Sequence, residues 1–424
     1  MWTDKVIAVF KAKDLRKKIF FVLAMMVVFR LVASIPIPGI DAERLAAFFS
    51  ENQFFGLMNV FTGGALENFS VVMLGIGPYI TATIIMQLLT LVFPRLEEMY
   101  KEEGEAGQRK FNQYSRLLTV PLAMIQSFAM IKLLESQNVI SGFAPLRLVT
   151  SILVITAGAV FLMWLGELIT EKGIGNGISL LIFAGIIASV PSSIQQVIYT
   201  WDPSQLPMWI LFGLASLVIT IGVVVVNEAR RNVPISYAKR VRGHKMYGGV
   251  QTYLPMMVNP AGVIPIIFAM SIMLLPGMFA NIFAQTTIPI ISTLASYLNA
   301  LLQKGFVYGI FYFILVVFFT YFYTAVTFNP DNVSENLQKM GGFVPGIRPG
   351  SQTSDFIRRI LNRVLFVGAL FLGLIAVLPS IIQGFTQIST FAFAIGGTSL
   401  LIIVAVVLET IKKIESELEM RSYE

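Results

Sequence analysis

The side chains able to do covalent or acid–base chemistry in this 424-residue chain are few, and they are poorly placed for it. There is one histidine, His244, and no cysteine. That removes a thiolate nucleophile, a thiolate metal ligand and a disulfide framework. The six aspartates (Asp4, Asp14, Asp41, Asp202, Asp331 and Asp355) all fall in loops or tails. No HExxH for zinc hydrolysis, no paired aspartates within an apolar segment and no GxxxxGKS/T phosphate loop occurs. His244 sits in a polar loop and cannot act as the base of a serine hydrolase inside a membrane. GIGNG at Gly173 to Gly177 superficially resembles a nucleotide loop, but it follows an apolar helical run rather than a strand and reads as a helix-joining turn. No catalytic, metal or cofactor residues are therefore expected.

What remains is a chain built for lipid. Hydrophobic residues make up 56% of it and charged ones 13%, with a mean hydropathy of +0.75, which describes a polytopic membrane protein. The formal charge of +7 is spread beside apolar segments rather than gathered on one folded domain, which argues against a nucleic-acid binder. Ion-coupled transporters use ionisable groups within the membrane, and the candidates are only Arg30, Glu167 and Glu409, each near a segment end where a structural role is expected. A secondary transporter of a small solute stays open as the alternative, because carbonyls at broken helices also bind ions.

The stretch Val71 to Phe93, VVMLGIGPYITATIIMQLLTLVF, has no charge and is long enough to cross a bilayer core of roughly 30 Å. It also carries Gly75, Gly77, Pro78, Thr81, Thr83 and Gln87. Gly and Pro loosen the helical ladder, and hydroxyl and amide groups need partners that hydrocarbon lacks. One side is expected to face protein or an aqueous cavity, as a pore wall does.

Ten apolar segments position this stretch: Ile19 to Ile35, Val71 to Phe93, Leu117 to Leu134, Val149 to Ile169 and Ile178 to Ile198, then Met208 to Val226, Ala261 to Phe283, Phe306 to Phe328, Val364 to Ile382 and Thr390 to Leu408. Five followed by five permits an inverted repeat, although the halves show no residue-level similarity. An interfacial, basic N-terminus (residues 1–18) precedes a retained first segment, with no cleavage site for a signal peptide. Twenty-six of the 31 Lys and Arg fall on one face, against Arg44, Arg147 and Lys304 on the other. The asymmetry puts both termini, and a tail at residues 411–424, in the cytoplasm.

Two loops on the basic face, 227–259 and 329–363, are long enough to be functional or disordered. The first alternates like a β-hairpin turned near Arg242 and Gly243. On charge alone, both loops read as topology setters that touch anionic lipid. On the other face, NVFTGGALENFS at 59–70 is a short semi-apolar piece; alone it is expected on the surface, with a re-entrant fold as the alternative.

Several segments together resemble one family, the SecY family of channel subunits of the bacterial protein-translocation machinery. They are VFRLVASIPIPGID, FTGGALENFS with LGIGPYITATIIMQLLT, EGEAGQRKFNQYSR, FLMWLGELITEKGIGNGISLLIFAGI, NPAGVIPIIFA, FNPDNVSENLQKMGGFVPGIRPG and GGTSLLI, in family order across nearly the whole chain. Gly77 and Pro260 depart from the family pattern. The resemblance implies an all-α protein of ten transmembrane helices, in two pseudo-symmetric five-helix halves (19–198 and 199–410) around an hourglass pore in the bacterial inner membrane. It implies a waist of aliphatic side chains at Ile76, Ile80, Ile178, Ile182, Ile267 and Ile402. A plug helix at about Asn59 to Phe69 lies just outside, including Phe61, Gly63, Gly64, Ala65 and Leu66. A lateral gate carries Thr83, Gln87 and Asn259, whose mutual hydrogen bonds are expected to hold it closed. The long loops become a docking surface for a ribosome or the SecA motor through Arg240, Arg242 and Arg348. SecE and SecG are the implied companion subunits and an unfolded preprotein with its signal sequence the implied passenger.

Overall fold

The computed structural model describes residues 9, 11–38, 45, 59, 62–66, 68–101, 103–136, 139, 144–199, 206–237, 240–242, 245–247, 251–284, 289–303, 305–386 and 397–422. Residues 1–8 of the basic N-terminus, Asp4, Asp41, Arg44, Phe61, Asp202, His244, Lys304 and the start of the tenth apolar segment lie outside them, as do the side chains of Arg240 and Arg242.

In chain order the helices are α1 (Lys13–Ala33), α2 (Gly77–Val92), α3 (Pro94–Lys101), α4 (Gly104–Ser136), α5 (Pro145–Lys172), α6 (Gly177–Tyr199), α7 (Leu206–Glu228), α8 (Ile264–Ala284), α9 (Pro289–Gln303), α10 (Gly305–Thr327), α11 (Pro330–Lys339), α12 (Ser351–Thr386) and α13 (Gly397–Ser422). All except α3, α9 and α11 coincide with the ten apolar segments. By length and hydropathy alone, Gly104–Glu135, Pro145–Lys172, Gly305–Lys339 and Ser351–Leu378 can each cross a bilayer, and α2 with α3, bent by 113°, forms a further candidate.

Several boundaries differ from the sequence expectation. The basic residues Lys13 to Lys18 do not form a separate interfacial helix; they are the first turns of α1. α12 likewise runs 36 residues and absorbs the end of the second basic loop. The tail is helical to Ser422, and Lys18 Nζ meets Glu417 at 2.9 Å, tying the two ends of the chain together. The 23-residue apolar stretch is not one helix: residues 71–76 are turns, and α2 follows as 16 residues, about 24 Å.

The main core is one apolar cluster drawing on α1, α2, α5 to α8, α10, α12 and α13. A second joins Ile37, Leu66, Phe69, Met73 and Leu74 to α4 and α5.

The two basic loops are neither separate nor irregular. β1 (Arg230–Tyr237) pairs antiparallel with β4 (Gln251–Met257), and β5 (Gly342–Phe343) from the second loop adds to the other edge of β1. Between them β2 (Arg240–Arg242) and β3 (Lys245–Tyr247) form a ribbon with Arg242 opposite Lys245, so the hairpin turns where alternation placed it. Val233 and Ile235 of β1, Met256 of β4, Leu337 of α11, Val344 and Ile357 close a small core shared by both loops. At its side Asn329 caps α11 by accepting from the Asp331 amide at 2.9 Å, and Arg358 of α12 pairs with Asp331 at 2.9 Å.

Candidate functional site

Two local devices set the apolar neck of the bundle. At the start of α2, Gly75 adopts φ +57° and its amide bonds Val72 O at 2.8 Å, so the chain turns sharply before Pro78 enters the first helical turn. Ile76 and Ile80, four apart, then share one face. At the start of α6, Gly175 turns at φ +85°, the Asn176 side chain accepts from Ile178 N at 3.1 Å, and Gly177 N donates to Thr170 Oγ1 at 2.9 Å. GIGNG is thus a helix-joining turn that aims Ile178 and Ile182 inward.

A cavity of ≈ 70 Å³ lies at this neck. Ile76 and Ile80 of α2, Ile182 of α6 and Ile267 of α8 line it, with Leu74, Leu181, Met270 and Ser271 around them. Ile178 is half-buried against the same cluster, and Ile402 of α13 is wholly buried within it without lining the cavity. No described side chain in the lining is ionisable. The sequence reading did not name Met270 and Ser271, although their spacing of three and four from Ile267 is a helical-face signal. It also did not name Thr62 and Phe29, which line the cavity from the piece after Asn59 and from α1.

The piece after Asn59 reaches the cavity through Thr62. Its expected surface position is not what the structure holds: Thr62, Gly63, Ala65 and Leu66 are buried, the last two completely. Residues 62–66 and 68–69 are turns rather than helix. Ile37 N bonds Phe69 O at 3.0 Å and Val71 N bonds Ile35 O at 3.1 Å, so the segment is held at its base by the chain leaving α1. Gly63 and Gly64 have φ of +69° and +79°, conformations open to glycine, and Arg30 Nη1 donates to Gly63 O. Read alone the piece is expected on the surface, as most short apolar helices are; Gly63, packed on the backbone of Gly185, is what lets it enter.

The three seam residues do not bond one another. Thr83 Oγ1 donates to Tyr79 O at 2.9 Å within its own helix, as Thr81 does to Gly77 O. Asn259 Nδ2 donates to Asn227 Oδ1 at 2.8 Å and Gly262 O at 3.0 Å. Gln87 Oε1 and Asn259 Oδ1 are buried without a partner. Hydroxyls can back-bond to their own helix, so their presence in α2 did not require the mutual network expected of them. α2 and α4 both pack against α8, so this seam is shut. Glu167, at the end of α5, accepts from Arg116 Nε at 2.7 Å and from Tyr79 Oη at 3.4 Å, joining α2, α4 and α5 in a structural role. On the loop unit, the Arg348 side chain is exposed while its carbonyl accepts from Thr353 Oγ1 at 3.0 Å, fixing the backbone that presents it.

Comparison with known proteins gives one answer. The sequence model of the SecY family matches residues 70–411. The chain is 45% identical to the protein translocase subunit SecY of Streptomyces coelicolor over 98% of its own length and 97% of the relative's. To that of Corynebacterium glutamicum it is 43% identical, over 99% and 98%. A solved structure described as that of a protein-conducting channel aligns with a TM-score of 0.65 at 19% identity, covering 94% of this chain and 91% of the other. Sec61 from a canine ribosome–channel complex aligns with a TM-score of 0.63, also at 19%, over 94% and 91%.

Proposed function

The chain belongs to the SecY family, and on that premise we propose that it is the pore-forming subunit of a channel that passes unfolded polypeptides across the membrane and releases apolar segments sideways into lipid. The observation that carries this is a cavity whose described lining is uncharged, walled by isoleucines from α2, α6 and α8 and lined also by Thr62 of a buried segment. Branched aliphatic side chains fill a neck, repel water and ions, and offer no sticky site to a sliding chain. A solute transporter needs a polar binding site, and the described residues of this wall offer only Thr62 and Ser271.

The constriction is formed by Ile76, Ile80, Ile182 and Ile267 at the cavity wall, with Ile178 and Ile402 packed behind them. The segment from Asn59 to Phe69 is the plug, and the seam where α2 and α4 meet α8 is the lateral gate, with Thr83, Gln87 and Asn259 along it. Such a gate is held mainly by packing, without hydrogen bonds among Thr83, Gln87 and Asn259, so an apolar signal segment can shift it. The basic face is cytoplasmic, in a bacterial inner membrane. SecE and SecG flank the subunit, and the two-loop sheet unit docks SecA or a ribosome through Arg240, Arg242 and Arg348. A related channel solved on a ribosome supports that use of the surface. Arginine suits both rRNA phosphate and acidic protein surfaces. The chain itself performs no chemical step; the driving force comes from those partners.

The absence of native cysteine gives a direct test. With Ile80→Cys in reconstituted complexes and a stalled secretory chain carrying one cysteine, a disulfide is expected. Crosslinks restricted to lipid-facing positions would overturn the pore assignment.

A further inference from the structure

α9 lies between the seventh and eighth apolar segments and is a 15-residue helix without a single charged residue. Its sequence, PIISTLASYLNALLQ, divides by helical angle into a broad apolar arc and a polar arc of Ser292, Thr293, Ser296, Asn299 and Gln303. Among the described side chains of α9 only Ala295 is buried, where the helix packs against α8 and α10. Ile290, Leu294 and Tyr297 are 82%, 73% and 69% exposed and fall on one face, while Thr293 and Ser296 are exposed on another. The helix thus has three sides: one on protein, one apolar and uncovered, one polar and uncovered.

The apolar side does not stand alone. Along α10, Phe306, Ile310, Ile314 and Phe318 recur every fourth residue and are all exposed, and this row begins three residues after α9 ends. On a membrane-spanning helix such a row faces acyl chains. We propose that α9 is an interfacial helix that seats Ile290, Leu294 and Tyr297 in the lipid surface at the end of α8 remote from the β1–β4 sheet, continuing the lipid-facing row of α10. Lipid is the occupant that matches all three sides at once, because only a bilayer boundary offers hydrocarbon and water to adjacent flanks of one helix. Tyr297 has the amphipathic ring that prefers that depth. A helix anchored there fixes the outer ends of α8 and α10, which border the seam described above.

The test uses the full chain with its partner subunits in phosphatidylethanolamine–phosphatidylglycerol vesicles, with an environment-sensitive fluorophore on Leu294→Cys, Ile290→Cys or Ser296→Cys. Labels at 294 and 290 are expected to show blue-shifted emission, strong quenching by lipids carrying a nitroxide near the acyl-chain head, and little quenching by aqueous iodide. The label at 296 is expected to show the reverse. Iodide quenching at 294 and 290 equal to that at 296 overturns the proposal in favour of a water-exposed helix. Protection at 294 and 290 from both quenchers overturns it in favour of a protein partner covering this face.

Discussion

Gly63 and Gly185 pack backbone against backbone: a Cβ on Gly63 would lie 2.9 Å from the Cα of Gly185, closer than any side chain tolerates. Gly63 also sits at φ +69°. Gly63→Ala therefore faces a left-handed penalty of about 1–2 kcal/mol in addition to the clash. That shifts the plug's equilibrium away from the closed position by about five- to thirtyfold. Ion leak through vesicles carrying the variant should rise with the chain still folded. An unchanged leak would mean that this contact does not set closure.

Arg30 Nη1 donates to the carbonyl of Gly63. Charged hydrogen bonds contribute about 1.5–3 kcal/mol when buried, and the exposure of this guanidinium places the effect below that range. Arg30→Gln should release the plug, read as faster disulfide trapping of a cysteine at Leu66 in the displaced position. Combined with Gly63→Ala, the effects should be less than additive, since both act on one carbonyl-bearing residue.

Two isoleucines with the same expected role differ in surroundings. Ile80 lines the cavity, so Ile80→Asn should wet the neck and raise conductance with modest loss of stability. Ile402 is wholly buried, and Ile402→Ala should cost about 2–5 kcal/mol of stability, seen as a lower melting temperature in detergent. Equal conductance changes without a difference in stability would contradict this division.

The shared core of the two basic loops makes them one cooperative piece. Ile357 on α12 is fully buried against Val233, Ile235 and Leu337. Ile357→Ala removes packing worth about 2–5 kcal/mol, enough to loosen both loops while the apolar helices persist. Limited trypsin digestion should then cut at Arg231 and Lys339 together. Arg348→Glu, by contrast, should leave the digestion pattern intact and reduce translocation, because its side chain is exposed.

Apolar runs made the helices legible, and the GIGNG spacing gave the turn before α6 correctly. The isoleucines at the neck were legible only through the family resemblance, because branched apolar residues in apolar helices read by themselves as ordinary core. What hydropathy could not show was anything decided by tertiary contact. β5 is two residues long and joins β1 across about a hundred positions of sequence, a pairing invisible to local alternation. The 59–69 piece packs against α6 because Gly63 meets Gly185 there with no side chain between them, and burial of a short polar-flanked segment has no periodic signature. α9 escaped notice for the opposite reason: its apolar face is real but shorter than a membrane span.

Gln87 and Asn259 show how a buried polar residue can act against its own seam. Each has a carbonyl oxygen without a partner in the shut state, though Asn259 keeps two donor contacts. An unsatisfied buried acceptor costs about 1–3 kcal/mol, a cost that water or a passing chain would relieve once α2 and α8 separate. Gln87→Leu removes that penalty and should stabilise the closed seam, raising the melting temperature and slowing the release of apolar segments into lipid. Asn259→Leu also removes the bonds to Asn227 and Gly262, so its stability should fall while release quickens. If both variants moved in the same direction, the seam's polar residues would be acting through bulk alone rather than through hydrogen bonding.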